Sequence, residues 1–159
     1  MSTNFPLQMA DGIVQINFDV ILPIWRDKLW PARISPIETH SAMLHLYREY
    51  DMGNFLLPSW YYGYMVDNNL IGVNSGHMCT DGSARSRGLW VCPKHRKKGY
   101  GKQLLAATIA DAKIQNANSV WSYSRKTSWP TYESAGFVLT SDWEQSETSE
   151  ANAYCFLAL

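Results

Sequence analysis

The segment LWVCPKHRKKGYGKQLL (residues 89–105) constrains the fold of this chain more than any other. It reads as a strand, a stop at Pro93, a basic loop holding Gly99 and Gly101, and the start of a helix. Leu104, Leu105, Thr108, Ile109 and Ala112 fall on one helical face, with Lys102, Gln103, Asp111 and Lys113 elsewhere. Asn116 and Asn118 mark the helix end, and SVWSYS (119–124) is the next strand. A strand that enters a helix and returns as a strand is a crossover, which sets two strands parallel in one sheet.

The remaining strands read as antiparallel. IVQINF (13–18) alternates apolar and polar residues. WYYGYMV (60–66), LIGVNSGHMC (70–79) and ARSRGLWV (84–91) form a meander joined by the turns DNN and TDGS. FVLT and NAYCFLAL supply two final strands, with EQSETSEA between them as a solvated loop. A helix is expected from about Asp19 to Leu29, with Pro23 early in it. A second is expected from Ser35 to Tyr50, where SPIE offers a cap, a first-turn proline and a capping-box glutamate. Ile37, Met43, Leu44 and Tyr47 would give it an apolar stripe. SWPTYESAG is a short helix closed by Gly136. The expectation is one α+β domain: a mixed, mostly antiparallel sheet of about seven strands with helices on both faces.

Composition narrows the function classes. At 159 residues with 46% hydrophobic and 18% charged, the chain is globular in type. Lys plus Arg is 14 and Asp plus Glu is 14, a balance that disfavours nucleic-acid binding as the main role. The basic loop could serve an RNA-binding domain, but that neutral balance weighs against it. Cys79, Cys92 and Cys155 are odd in number and form no Cys-x-x-Cys pair, so no disulfide framework or metal site is expected. No apolar run is long enough to span a bilayer, and MSTNFPLQMADG lacks a leader pattern, so a cytoplasmic protein is expected.

The opening segment also carries chemistry. Amides in a first helical turn have no partner within the helix and, with the helix dipole, favour an anion beyond the end. Glycines let backbone approach a ligand closely. Arg96, Lys97, Lys98 and Lys102 add charge, so a pyrophosphate is a physical match for Arg96, Lys97, Lys98, Gly99, Tyr100, Gly101 and Lys102. The dinucleotide fingerprint fails because Leu104 stands where its third glycine should be, and the Walker A spacing fails too.

Arg-x-x-Gly-x-Gly between a strand and a helix resembles the coenzyme A pyrophosphate loop of the GNAT N-acetyltransferase superfamily. YESAGF, with Tyr132 four residues before Gly136-Phe137, resembles that family's C-terminal signature, and the resemblance runs closely from about Leu89 to Phe137. It implies a splayed parallel strand pair holding acetyl-CoA, or another acyl-CoA, as donor, and no metal. Leu89, Trp90 and Val91 would pair by backbone with the pantetheine arm. An acceptor amine would attack the thioester directly, and Tyr132 would protonate or hydrogen-bond the leaving sulfur.

The sequence departs from the family pattern in two places. The strand before the loop has no carboxylate base, so His77 is the candidate substitute by its ordinary pKa, with a water chain as the other route. Arg125 stands where asparagine is frequent and is a candidate coenzyme phosphate contact. The absent glutamate leaves a non-catalytic coenzyme A-binding module as the rival to an enzyme. The acceptor pocket would draw on the N-terminal aromatics and nearby strands, with Trp30, Tyr62 and Arg87 as candidates. Arg85 and Arg87 share a strand face, and an acidic acceptor follows if that face lines the pocket. An exposed aromatic patch would point to a homodimer.

Overall fold

A computed structural model describes residues 9–47, 49–145 and 150–159. The chain runs β1 (Gly12–Gln15), α1 (Phe18–Ile24), β2 (Ser59–Val66), β3 (Asn69–Met78), β4 (Ala84–Val91), α2 (Tyr100–Ile114), β5 (Ser119–Arg125), α3 (Trp129–Ser134), β6 (Val138–Leu139) and β7 (Asn152–Ala158). The seven strands form one sheet in the order β1-β2-β3-β4-β5-β7-β6. All pairs are antiparallel except β4–β5, as the crossover through α2 demands. Part of the loop expected at 144–151, and residues 1–8, lie outside the described residues. Among the described residues no helix is long and apolar enough to cross a membrane.

Helices cover both faces. Leu104, Leu105, Thr108 and Ala112 of α2 are buried against the face carrying Trp60, Tyr64, Ala84 and Val120, joined by Tyr132 of α3. Ile21 and Ile24 of α1 pack with Trp25, Leu29, Tyr61 and Val73 on the opposite face. The α1 helix passes into a π-helical turn, Trp25–Leu29, closed by the Trp30 amide donating to the Trp25 carbonyl at 2.7 Å. Pro23 sits inside α1 rather than in its first turn, and it removes an amide from the ladder just before the π turn.

The helix expected from Ser35 to Tyr50 does not form. Among the described residues there the chain is irregular, with a 3₁₀ turn at His45–Tyr47 and an isolated bridge between Met43 and Tyr50. Distant side chains occupy its carbonyls: Arg87 donates to Glu38 O (2.7 Å), Tyr61 to Thr39 O (3.3 Å) and Asn54 to Ser41 O (2.7 Å). Arg33, just upstream, takes the Ser35 and Pro36 carbonyls by local bonds. Long-range hydrogen bonds thus replace the ladder a capping box would have started. This irregular segment lies against the α1 side of the sheet, where Met43 packs beside Cys79, Trp121 and Tyr154.

Candidate active site

The parallel pair separates almost at once. Register holds only for Ala84↔Val120 and Arg85↔Trp121. At Ser86 the ladder is replaced by a side chain, with Ser122 Oγ donating to the Ser86 carbonyl at 2.7 Å. Beyond it a bulge between Arg87 and Trp90 turns β4, with Gly88 at φ +71. The Trp25 indole of the π turn fills the space above Gly88 and donates to its carbonyl at 3.0 Å. After the bulge Leu89 packs toward α2 and Trp90 toward α1. Leu89, Trp90 and Val91 therefore lie on a strand paired to β3 on one side and splayed from β5 on the other.

Two cavities flank this split. One, of about 740 Å³, is lined by Leu89, Trp90, Val91, Arg96, Lys97, Gly99, Tyr100, Gly101 and Lys102, with Thr131 and Ser134 of α3 opposite. Gly99 precedes α2 at φ +83, and a Cβ there would meet nothing within 4 Å. Lys97 also takes positive φ, 62°. The first helical bond is Gln103 N to Gly99 O, so the amides before Gln103 have no partner inside α2 and border this cavity. Arg96 Nε donates to the Val91 carbonyl at 2.8 Å, clamping the loop onto the strand end. Lys98 is exposed and is not among the lining residues. The unpartnered amides, the open space at Gly99 and the splayed edge fit a pyrophosphate carrying an extended arm.

The second cavity, about 560 Å³, lies where the irregular 30–50 segment faces β4 and β5. Trp30, His40, Met43, Arg85, Arg87 and Tyr132 line it. It shares Leu29, Leu89, Arg125 and Ser128 with the first, so the two meet at the split. Arg125 donates from Nη2 to the Leu29 carbonyl across this junction, tying β5 to the π turn. Tyr132 is 2% exposed, its hydroxyl 2.9 Å from Ser86 Oγ and 3.1 Å from Ser122 Oγ. Burial pushes the phenol up to about 12, so it stays protonated and able to donate. Asn74 extends the buried chain, donating to Ser86 Oγ (3.2 Å) and to Thr108 Oγ1 (3.1 Å) of α2.

Two candidates do not reach this cavity. His77 is fully buried; its Nε2 accepts from the Ser41 amide (3.3 Å), and Nδ1 lies 3.2 Å from the Met78 carbonyl. Burial, then the charges of Arg85 and Arg87, hold it well below the usual imidazole value. A ring with both nitrogens engaged is a neutral structural pin, not an exposed base. Tyr62 is on the opposite face, where its hydroxyl donates to Asp111 of α2 at 2.7 Å. Strand alternation had left that choice of face open, because aromatics occupy both sides of β2. Trp30 and Arg87 do line the cavity.

Ser86, Ser122 and Asn74, which make the hydrogen-bond chain at the Tyr132 hydroxyl, and Ser128, which lines both cavities, are residues that sequence reasoning did not single out. A serine in a strand looks like any polar strand residue until its hydroxyl is seen replacing a ladder bond. Gly88 did carry a signal, since an isolated glycine inside a strand pattern suggests a bulge. Among the described residues, no cluster of His, Cys, Asp and Glu could hold a metal.

A family model for the acetyltransferase (GNAT) family matches residues 22–137. No curated protein matches the chain. Among solved structures, a GNAT-family acetyltransferase from Staphylococcus aureus is similar at a TM-score of 0.64 and 16% identity, covering 94% of this chain and 99% of that one. An acetyltransferase from Bacillus subtilis in complex with CoA gives 0.53 and 18%, covering 64% of this chain and 77% of that one. The PaiA N-acetyltransferase from Thermoplasma acidophilum, in complex with coenzyme A, gives 0.52 and 18%, covering 64% and 61%.

Proposed function

Because the chain belongs to the acetyltransferase (GNAT) family and is an acyl-CoA-dependent N-acyltransferase, we propose that it transfers acetyl from acetyl-CoA to an amine by direct attack. The observation that carries this reading is the meeting of two cavities at the β4–β5 split, with Tyr132 in the wall beside it. The donor occupies the larger cavity. Its pyrophosphate takes the amides before Gln103, with Arg96, Lys97 and Lys102 supplying charge, and its pantetheine arm runs along Leu89, Trp90 and Val91. The acceptor enters the other cavity, past Trp30.

Acetyl-CoA supplies an activated acyl group on sulfur. The neutral acceptor nitrogen bonds to the thioester carbon, the carbon–sulfur bond breaks with its electrons going to sulfur, and the nitrogen sheds a proton. Tyr132 donates a hydrogen bond to the departing sulfur. A thiol is a stronger acid than this buried phenol, so the hydrogen bond stabilises the thiolate without requiring full proton transfer. Burial of Tyr132 keeps water from competing for its hydroxyl. The proton from nitrogen passes to water in the acceptor cavity, since His77 faces away from it.

Thermal stabilisation by acetyl-CoA, coenzyme A and ATP tests this reading. Acetyl-CoA and coenzyme A should raise the melting temperature of the wild type, ATP much less. A Cβ at Gly101 would meet Thr131 and Val91 at ordinary contact distances of 3.6 and 3.7 Å, so the fold accepts a side chain there. Gly101→Glu should keep the wild-type melting temperature alone yet lose the acetyl-CoA shift, because its carboxylate enters the anion site. Stabilisation by ATP alone would sink the reading.

A further inference from the structure

Arg85 and Arg87 are 7% and 3% exposed and line the acceptor cavity. They alternate on one face of β4, so two like charges lie side by side in a place where charge is costly. Arg33 and Arg125 line the same cavity. The carboxylate among the described lining residues is Glu38, which is exposed and meets Arg87 through its backbone carbonyl.

Stacking explains how the Arg87 guanidinium is held but not why it faces an open space. Arg85 Cζ is 4.9 Å from the Trp121 ring centroid. Arg87 Cζ is 4.8 Å from Trp25 and 5.4 Å from Trp30. Together with the Glu38 carbonyl, these rings fix the plane of Arg87 while most of its N–H fork stays uncommitted to the described protein. Burial, then the neighbouring Arg85 and Arg33, push Arg87 down to about 9, so it remains cationic at neutral pH in a field that an anion would relieve. A pin that served packing alone would not need charge, and methionine or leucine would fill the space at lower cost.

We propose that this cavity takes an amine bearing an anionic group, with the anion on Arg87, in the added field of Arg85, and the amine directed to the split beside Tyr132. The proposal rests on the acyltransferase reading for the amine and on the Arg87 fork for the anion. A volume of about 560 Å³ suits a small molecule of the size of an amino acid with a substantial side chain. Leu29, Trp30, Met43 and Tyr50 give that side chain an apolar wall. Carboxylate and phosphate both match a guanidinium fork, so the class is an amino acid or an aminoalkyl phosphate.

The test uses matched acceptors with the full-length protein and saturating acetyl-CoA: the standard amino acids, their amides, phosphoethanolamine, and the cationic amine spermidine. Thiol release is followed in each case. At least one anionic amine should turn over with kcat/KM roughly tenfold to a hundredfold above its amide or spermidine. Turnover on the amino acids marks the carboxylate and turnover on phosphoethanolamine marks the phosphate. Arg87→Gln should erase the preference while still showing the full acetyl-CoA melting shift, which controls for folding. Turnover on amides or spermidine at least equal to the anionic amines overturns the anion assignment and leaves the acetyltransferase standing. So does a normal acetyl-CoA shift with no anionic amine consumed. Should acetyl-CoA itself fail to bind, the acyltransferase reading falls. The arginine site is then judged by whether the anionic amines, and not the amides, stabilise the wild type and not Arg87→Gln.

Discussion

Tyr132 is held between two serines, and neither of them is close to it in sequence. Ser86 comes from β4 and Ser122 from β5, the strands that part at this point. The hydroxyl is therefore aimed by the split itself. Tyr132→Phe should lower kcat on the order of 10²-fold, with the KM for acetyl-CoA nearly unchanged, in a steady-state thiol-release assay. Because burial raises the phenol above its ordinary value, its protonated form should persist and no loss of kcat assignable to Tyr132 is expected up to about pH 10. An unchanged kcat would remove Tyr132 from the chemistry. The position of Tyr132 was legible because its spacing to Gly136-Phe137 is a local pattern. The placements of His77 and Tyr62 were not, since each depends on which face of the sheet a long-range partner selects. The loop proposed to hold pyrophosphate is likewise local, and a second prediction belongs to it. Lys97→Ala should weaken acetyl-CoA binding only a few-fold in calorimetry, because an exposed cation contributes little beside backbone amides.

The unit of function at the next scale is the π turn against the β4 bulge. Trp25 is fully buried, and its indole donates to Gly88 O from directly above the glycine. A Cβ on Gly88 would fall 2.2 Å from Trp25 Nε1, at a φ of +71 that alanine also resists. Gly88→Ala should therefore cost about 2–4 kcal/mol, read from the urea midpoint, and should weaken acetyl-CoA binding by displacing Leu89 and Trp90. Trp25→Phe keeps an aromatic ring but loses the indole donor, and should cost about 1–3 kcal/mol by leaving the carbonyl unpaired. A Gly88→Ala midpoint equal to wild type would show that the turn and the bulge are not locked together. Elements with strong local periodicity, such as α2 and β2 to β5, could be read from the sequence. The segment from Ser35 to Tyr50 could not, because Arg87, Tyr61 and Asn54 compete for its carbonyls from far along the chain. That failure coincides with the proposed acceptor cavity, whose wall this segment helps to build.

The whole molecule places a charged cavity over a neutral histidine layer, and this couples its stability to acid. The ring of His40, within the 30–50 segment, lies 5.0 Å from that of His77 on β3, with Arg85 and Arg87 alongside. His77, His40 and His45 are all pushed below the ordinary imidazole value, in each case chiefly by burial. Each is therefore neutral in the fold at a pH where the unfolded chain already binds a proton. Their contribution to stability is complete above about pH 6.5, the unfolded value, and declines as pH falls below it toward the depressed folded values. The melting temperature should accordingly drop between pH 7 and pH 5, before most carboxylates titrate. His77→Gln should start lower at pH 7, because it disturbs the Ser41 contact, but should lose less on acidification than the wild type. A profile that is flat or rises from pH 7 to pH 5 would refute the neutral layer. An anionic acceptor bound to Arg87 offsets the positive field that disfavours protonated His77, and so should make the acid-induced drop shallower.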